Sequence, residues 1–157
     1  MKVVTAIDSF KGSVSSIEAG NAAREAVLSV YPEAEVIVMP LADGGEGTVE
    51  ALAGGMGGRM VYTDVTGPLG DKIQAAYGIV GDTAVMEMAS SSGLPLVPPE
   101  KRNPFYTTTY GVGDMIKDAL VKGCRQFIIG IGGSATNDGG VGMLQSLGFR
   151  FLDRDGK

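Results

Sequence analysis

The stretch Lys2-Val3-Val4-Thr5-Ala6-Ile7-Asp8-Ser9-Phe10-Lys11-Gly12-Ser13-Val14-Ser15-Ser16-Ile17-Glu18 decides the fold class. Its first six residues are apolar and rich in β-branched side chains, which reads as a strand. Ser15 followed three residues later by Glu18 forms a capping-box signal for a helix of about fifteen residues ending near Tyr31 and Pro32. A second strand-like run, Glu35 to Met39, is followed by the loop Ala42 to Gly47 and by Thr48, which predicts the cap of a short helix. Strand, loop, helix, repeated, is the order of a parallel α/β sheet.

From Arg59 the period changes. Arg59 to Val65, Ile73 to Val80 and Thr83 to Met88 are alternating runs parted by Thr66-Gly67-Pro68-Leu69-Gly70 and by Gly81-Asp82, the pattern of an antiparallel meander. It reads as an inserted subdomain or as an antiparallel edge added to the same sheet. Ser90 to Thr109, with four prolines, reads as a long loop, of a length usually given to lids, binding loops or domain crossings. Helix is expected again from Tyr110 to Lys122, then a buried strand at Gln126 to Ile131, a glycine-rich loop, and a helix carrying Val141, Met143, Leu144 and Leu147. Phe149 to Leu152 is expected to begin a further strand. Because Asp153-Arg154-Asp155-Gly156 then starts a turn, the chain is expected to be incomplete. The domain expectation is therefore residues 1–58 for the first part of an α/β domain, 59–109 for a β-rich insert with its long loop, and 110–157 for the return to the α/β domain.

Composition narrows the function. A net charge of −5 with only 13 Lys and Arg argues against a nucleic-acid footprint, and no run reaches the roughly 18 apolar residues of a membrane span. A lone Cys124 and the absence of a secretory leader pattern make a reducing cytoplasm the expected compartment. There is no His, so Ser/His/Asp and Cys/His nucleophile systems are excluded from this segment, leaving carboxylates or Lys as local bases. Gly accounts for 25 of 157 residues, about twice the usual share, gathered in clusters beside strands and helices.

Three segments are candidates for chemistry. Asp8-Ser9-Phe10-Lys11-Gly12-Ser13 follows the first strand, where α/β sheets place ligands. There Asp8 can hold a metal or orient a hydroxyl, Ser9 can donate a hydrogen bond, and Lys11 can neutralise an anion; an ordinary polar loop is the competing reading. Asp43-Gly44-Gly45-Glu46-Gly47-Thr48 follows the second strand, and Asp43 or Glu46 could ligate Mg²⁺ or orient a substrate hydroxyl. Gly132-Gly133-Ser134-Ala135-Thr136-Asn137-Asp138-Gly139-Gly140 is the strongest, since small residues, two hydroxyls and a helix amino terminus suit an anion. Gly130 to Ala135 also fits the GxGxxG/A dinucleotide pattern, but without the acidic residue that should follow, so an oxidoreductase is the weaker reading. Glu87, Ser90, Ser91 and Ser92, and Thr107 to Thr109, are lesser candidates whose hydroxyl clusters read as solvated turns. Lys101, Arg102 and Asn103 read as surface residues, with Arg102 suited to a carboxylate clamp. Met86, Met88, Met115 and Met143 read as core filling, and Cys124 as a packed residue.

These segments, together with Val65 to Gly70 and Pro98-Pro99-Glu100-Lys101-Arg102-Asn103-Pro104, occur in an order that resembles the bacterial glycerate kinases of the first type. The resemblance covers Met1 to Lys157, with Ile7 where that family often has Pro, and the family's chain is more than twice as long. It implies transfer of the γ-phosphoryl of ATP to a hydroxyl of D-glycerate, commonly the 2-hydroxyl. It also implies a flavodoxin- or Rossmann-like α/β domain with an inserted second domain, and a site in the cleft between them. On that reading Lys11 and the loop holding Gly132, Gly133, Ser134, Thr136 and Asn137 bind glycerate or the transferred phosphoryl. Asp8, Asp43 or Asp138 then holds Mg²⁺ or orients the acceptor hydroxyl, with Asp8, Lys11 and Asp138 as the catalytic group. A non-catalytic anion-binding fragment remains the alternative, and the oligomeric state is left open.

Overall fold

The computed structural model describes residues 1–10, 13–45 and 47–156. Strand β1 (Lys2–Thr5) leads to helix α1 (Ser16–Val30), whose amino terminus is closed as the sequence predicts. The Ser15 hydroxyl accepts from the Glu18 N–H at 3.2 Å, and the Glu18 carboxylate accepts from the Ser15 N–H at 2.9 Å, so two orphan helix donors are satisfied. Strand β2 (Glu35–Val38) returns parallel to β1, pairing Lys2 with Glu35 and Thr5 with Val38. The ladder continues through Met39 N–H to Thr5 O and Leu41 N–H to Ile7 O, so the segments starting at Asp8 and Asp43 leave the same edge.

Helix α2 (Thr48–Gly55) follows, and here the capping prediction shifts by one residue. Gly47, at φ +92°, is the cap, a left-handed backbone shape that favours glycine over any residue with a side chain. The Thr48 hydroxyl instead donates to Gly45 O at 2.7 Å. Strands β3 (Arg59–Thr66), β4 (Lys72–Val80) and β5 (Thr83–Glu87) form the antiparallel meander. After helix α4 (Tyr110–Val121), strand β6 (Gln126–Gly130) pairs parallel with β5, bringing Glu87 opposite Gly130.

Among the described residues the chain is thus a mixed α/β structure with a two-stranded parallel sheet and a four-stranded mixed sheet ordered β3-β4-β5-β6. The resumed α/β stretch was expected to rejoin the opening sheet. In the described residues β6 extends the meander's sheet instead, because β5 presents Ala84, Val85 and Met86 as a fully apolar partner for Phe127 to Ile129. The expected loop 90–109 is not structureless. Its start folds as the single helical turn α3 (Ala89–Ser92), and two 3₁₀ turns follow at Leu94–Leu96 and Pro99–Lys101, where prolines supply the fixed φ at the first turn. Helix α5 (Val141–Ser146) ends at a left-handed Gly148, and Phe149 to Leu152 forms no ladder, so the expected strand is absent from the described residues.

The core lies between α4 and the four-stranded sheet, where Tyr77, Met86, Met115 and Ala119 are all fully buried beside Val61 and Cys124. Burying each of the two methionines contributes about 2 kcal/mol. Met86 and Met115 thus fill the core as their thioether chemistry suggests. Tyr77 brings a polar atom into it, and its hydroxyl donates to Asp118 Oδ2 at 2.7 Å. Burial and the adjacent Asp118 carboxylate push the phenol above its ordinary pKa, so it stays a donor. Tyr77→Phe is expected to cost about 1.5 kcal/mol, the worth of a hydrogen bond to a charged group. A lowered urea midpoint with an unchanged m-value would show it.

Candidate active site

The two parallel ladders bring the three candidate segments together. The β1–β2 ladder ends at Asp8 and at the loop from Asp43; the β5–β6 ladder ends at Glu87 and Gly130. The two edges meet backbone against backbone. Gly132 N–H donates to Gly44 O at 3.0 Å, and a Cβ on Gly130 would lie 2.4 Å from Gly44 O. A Cβ on Gly132 would lie 2.8 Å from Gly45 Cα. The glycines of the second and third segments are therefore needed for the approach of one loop to the other.

A cleft of about 370 Å³ opens beside this junction, lined in part by Ser9, Phe10 and Ser13 from the first segment, Gly47 from the second, and Glu87 and Ser90 from the end of β5. A Cβ on Gly47 would sit 4.0 Å from the Ser9 side chain, so the first two segments touch at its wall. Asp8 accepts the Ser9 N–H at 2.7 Å, and Asp43 accepts the Gly45 N–H at 2.8 Å. Each carboxylate thereby shapes its own turn. Lys11 and Glu46, both named from the sequence, lie outside the described residues.

The third segment contributes no residue to the lining of this cleft. Ser134 and Thr136 hydroxyls share a 2.6 Å hydrogen bond, and Thr136 N–H donates to Ser134 Oγ at 3.0 Å. Ala135 N–H donates to Ser92 O and Leu94 N–H to Gly133 O, which ties the loop to α3. Asn137 is exposed. Asp138 is the centre of this loop. Its carboxylate accepts from Thr109 N–H at 2.9 Å, Gly140 N–H at 3.0 Å and Gly142 N–H at 3.1 Å, with the Thr109 hydroxyl as a fourth donor. Burial opposes its charge, but the donors on Thr109, Gly140 and Gly142 more than offset that and hold its pKa below the usual carboxylate value.

The expectation of solvated hydroxyl turns is overturned at Ser91, Ser92, Thr107 and Thr109, all at most 6 % exposed. Thr109 Oγ1 also accepts the Met143 N–H at 3.0 Å, and Thr107 Oγ1 donates to Ala135 O at 2.9 Å, so these residues staple α4 and α5 to the glycine loop. Arg102 and Lys101 are exposed, as expected, and the Arg102 Nε donates to Val97 O at 3.1 Å. Asp114 was not singled out in the sequence. It accepts from Thr66 N–H, Thr66 Oγ1, Ser146 Oγ and Lys117 Nζ, joining β3, α4 and α5. Burial opposes ionisation there too, yet Lys117, Ser146 and Thr66 bring its pKa down to about 2. An aspartate at a helix position facing two neighbours has no local sequence signature. Among the described residues no three His, Cys, Asp or Glu side chains form a cluster able to hold a metal ion by themselves.

Residues 3–157 match the glycerate kinase family. The chain belongs to that family. It is 54 % identical over 159 residues to glycerate kinase of Haemophilus influenzae, covering 100 % of this chain and 42 % of that protein. It is 51 % identical over 158 residues to glycerate 2-kinase of Escherichia coli, covering 99 % of this chain and 42 % of that one. A crystal structure of a Salmonella typhimurium LT2 protein, assigned as glycerate kinase 2, superposes with a TM-score of 0.89 at 51 % identity, over 99 % of this chain and 42 % of the other. The chain thus spans about two-fifths of the length of these relatives. Among the described residues no helix is long and apolar enough to cross a membrane.

Proposed function

We propose that this chain supplies part of the active site of a cytoplasmic kinase that transfers the γ-phosphoryl of ATP to D-glycerate. The supporting observation is the cleft in which Ser9 and Ser13 meet Gly47 and the carboxyl end of β5, at the edge where α/β sheets collect ligands. The name of the Escherichia coli relative, glycerate 2-kinase, favours the 2-hydroxyl as acceptor. We read the parallel β1–β2 ladder as the start of a flavodoxin-like sheet, with an inserted stretch that begins at residue 59 and, because β6 pairs with β5, runs on past residue 109 to include β6.

Phosphoryl transfer is catalysed chiefly by positioning and charge neutralisation. Lys11 is the cation of the first segment and would meet the glycerate carboxylate or the phosphoryl oxygens. Ser9 would donate to the same group from the cleft wall. Mg²⁺ in nucleotide sites is commonly held by one or two carboxylates together with the phosphates, which does not require a three-ligand protein cluster. Asp8 and Asp43, at the end of the β1–β2 ladder, suit that part, and the ion would neutralise phosphate charge. Asp138 does not suit it. A carboxylate has about four acceptor positions, and four donors of its own chain already use them. Its part is to hold the glycine loop against α4 and α5.

ADP release coupled to D-glycerate addition tests the reading, on this chain and on a version extended to the length of its relatives. Glycerate-dependent ADP release in either is the expected result. NAD binding with no ADP release in both would overturn it.

A further inference from the structure

The hydroxyls of the cleft share its lining with apolar side chains that phosphoryl transfer has not yet used. They come from two walls. In the first loop, Phe10 N–H donates to Val14 O at 2.8 Å and Val14 N–H to Phe10 O at 3.2 Å. That exchange sets the two residues opposite one another, as in an antiparallel pair, with their side chains on one side. The second wall is the back of the four-stranded sheet. Val61 of β3 and Ala75 and Tyr77 of β4 point into the core, so Met60 and Ala76, one residue out of phase with them, point the other way. Helix α2 lies over Gly78, the register partner of Met60, where an added Cβ would come 2.7 Å from the Ala53 side chain. The helix nevertheless leaves Met60 37 % exposed, and across the same cleft Phe10 is 60 % exposed.

Large apolar side chains gathered in a concave place mark a ligand site, and about 370 Å³ is within the range of roughly 300–1,000 Å³ that small-molecule pockets occupy. Charge decides which ligand. Among the described residues the lining holds no Lys or Arg, and its two ionisable side chains, Glu50 and Glu87, are both acidic. Glycerate is an anion with oxygen on every carbon, and a triphosphate is more negative still, so neither gains from an apolar wall that carries acids. Adenine is the part of the two substrates that is neutral, flat and apolar on its faces. Its exocyclic amino group is a donor that a carboxylate accepts, and both an aromatic ring and a thioether pack well on its face. Resting on the kinase reading above, we propose that Phe10, Val14 and Met60 form the pocket for the adenine base of ATP, with the phosphates extending from it towards Ser9 and Gly47. Glycerate then binds beyond the γ-phosphoryl, away from the apolar wall.

The test uses adenosine, which carries the base without any phosphate, in whichever form of the protein shows glycerate-dependent ADP release. Adenosine is expected to inhibit competitively against ATP and not against D-glycerate. Phe10→Ser is expected to raise both the inhibition constant of adenosine and the KM for ATP about tenfold, the worth of stacking one base on one ring, with KM for D-glycerate held within about twofold. Because Phe10 is largely exposed, the melting temperature should stay close to that of the unaltered protein. No inhibition by adenosine, inhibition that Phe10→Ser leaves unchanged, or an equal rise in KM for D-glycerate overturns the proposal. If Phe10→Ser does not fold, Met60→Thr, whose β-branched side chain suits a strand, is expected to give the same split between the two substrates. A lowered melting temperature with KM for ATP unchanged in that variant would mean that protein, not a base, covers the wall, and overturns the proposal equally. An unaltered protein with no glycerate-dependent ADP release sinks the kinase reading itself, a result distinct from an active protein that adenosine does not inhibit.

Discussion

Asp138→Ala is expected to destabilise the protein by about 3 kcal/mol at neutral pH, as three backbone N–H groups lose a charged acceptor at roughly 1 kcal/mol or more each. The groups are Thr109 N–H, Gly140 N–H and Gly142 N–H, and the Thr109 hydroxyl loses its acceptor with them. Asp138→Asn should cost less but still measurably, because the amide retains one acceptor oxygen while its NH₂ faces donors. The sign of the pH dependence follows from the lowered pKa. An unfolded-state carboxylate titrates near 3.8, so the stabilisation from Asp138 is complete above that value and is lost as pH falls through the lower folded-state pKa. Urea midpoints of the native protein and of Asp138→Ala should therefore lie far apart at pH 7 and draw together as the solution is acidified below about pH 4. A gap that is absent at pH 7, or that stays constant into acid, would show that the carboxylate does not anchor the loop. Asp114, brought down to about 2 by Lys117, Ser146 and Thr66, adds to the acid lability of the native protein with the same sign.

What could be read from the sequence and what could not divides along the range of the forces involved. The helix start at Ser15 and Glu18 was legible because the capping box closes within three residues. Six strands were legible, and Arg59 to Thr66 alternates exposed and buried much as the local pattern requires, whereas Phe149 to Leu152, read as a strand too, forms none among the described residues. Partner choice was not. Whether β6 adds to β1 or to β5 depends on which exposed edge offers the better apolar match, a long-range decision that periodicity does not carry. The same limit governs the site. The position of all three glycine-bearing segments at strand carboxyl ends was predictable from the α/β order. That the third packs against the second, with the Ser134 and Thr136 hydroxyls bonded to one another and its backbone tied to α3, was not. A glycine that admits a ligand and a glycine that admits another backbone look alike in sequence. Glu87 shows the reverse case: a carboxylate of modest prominence in sequence, ending a meander strand, gains weight only when the fold buries it in the cleft wall.

Gly130→Ala is expected to have the largest effect of any single methyl addition at the junction. The new carbon would lie 2.4 Å from Gly44 O, 3.0 Å from Gly44 C and 3.2 Å from Gly44 Cα, all backbone atoms, so no side-chain rotation can relieve the overlap. Nor can Gly130 withdraw easily, because its carbonyl accepts the Met88 N–H at 2.8 Å and its strand is paired with β5. The loop from Asp43 to Gly47 must therefore retreat, and the hydrogen bond from Gly132 N–H to Gly44 O is stretched with it. Overpacking of this kind costs about 1–3 kcal/mol, which for a chain of this size corresponds to a fall in melting temperature of roughly 2–4 °C per kcal/mol. The retreat also moves Gly47, and hence the cleft wall it shares with Ser9. Catalysis should accordingly suffer beyond what the stability loss explains. Gly55→Ala is the matched control, since an added Cβ there meets nothing within 4 Å and the residue lies at the end of α2. With alanine's better helix propensity, that variant should be neutral or more stable by up to about 1 kcal/mol. The two substitutions add the same atom, and beyond the small helix-propensity gain at Gly55 it is the close approach to Gly44 that distinguishes them. Equal melting temperatures for the pair would mean that the two loops do not meet as closely as the geometry requires.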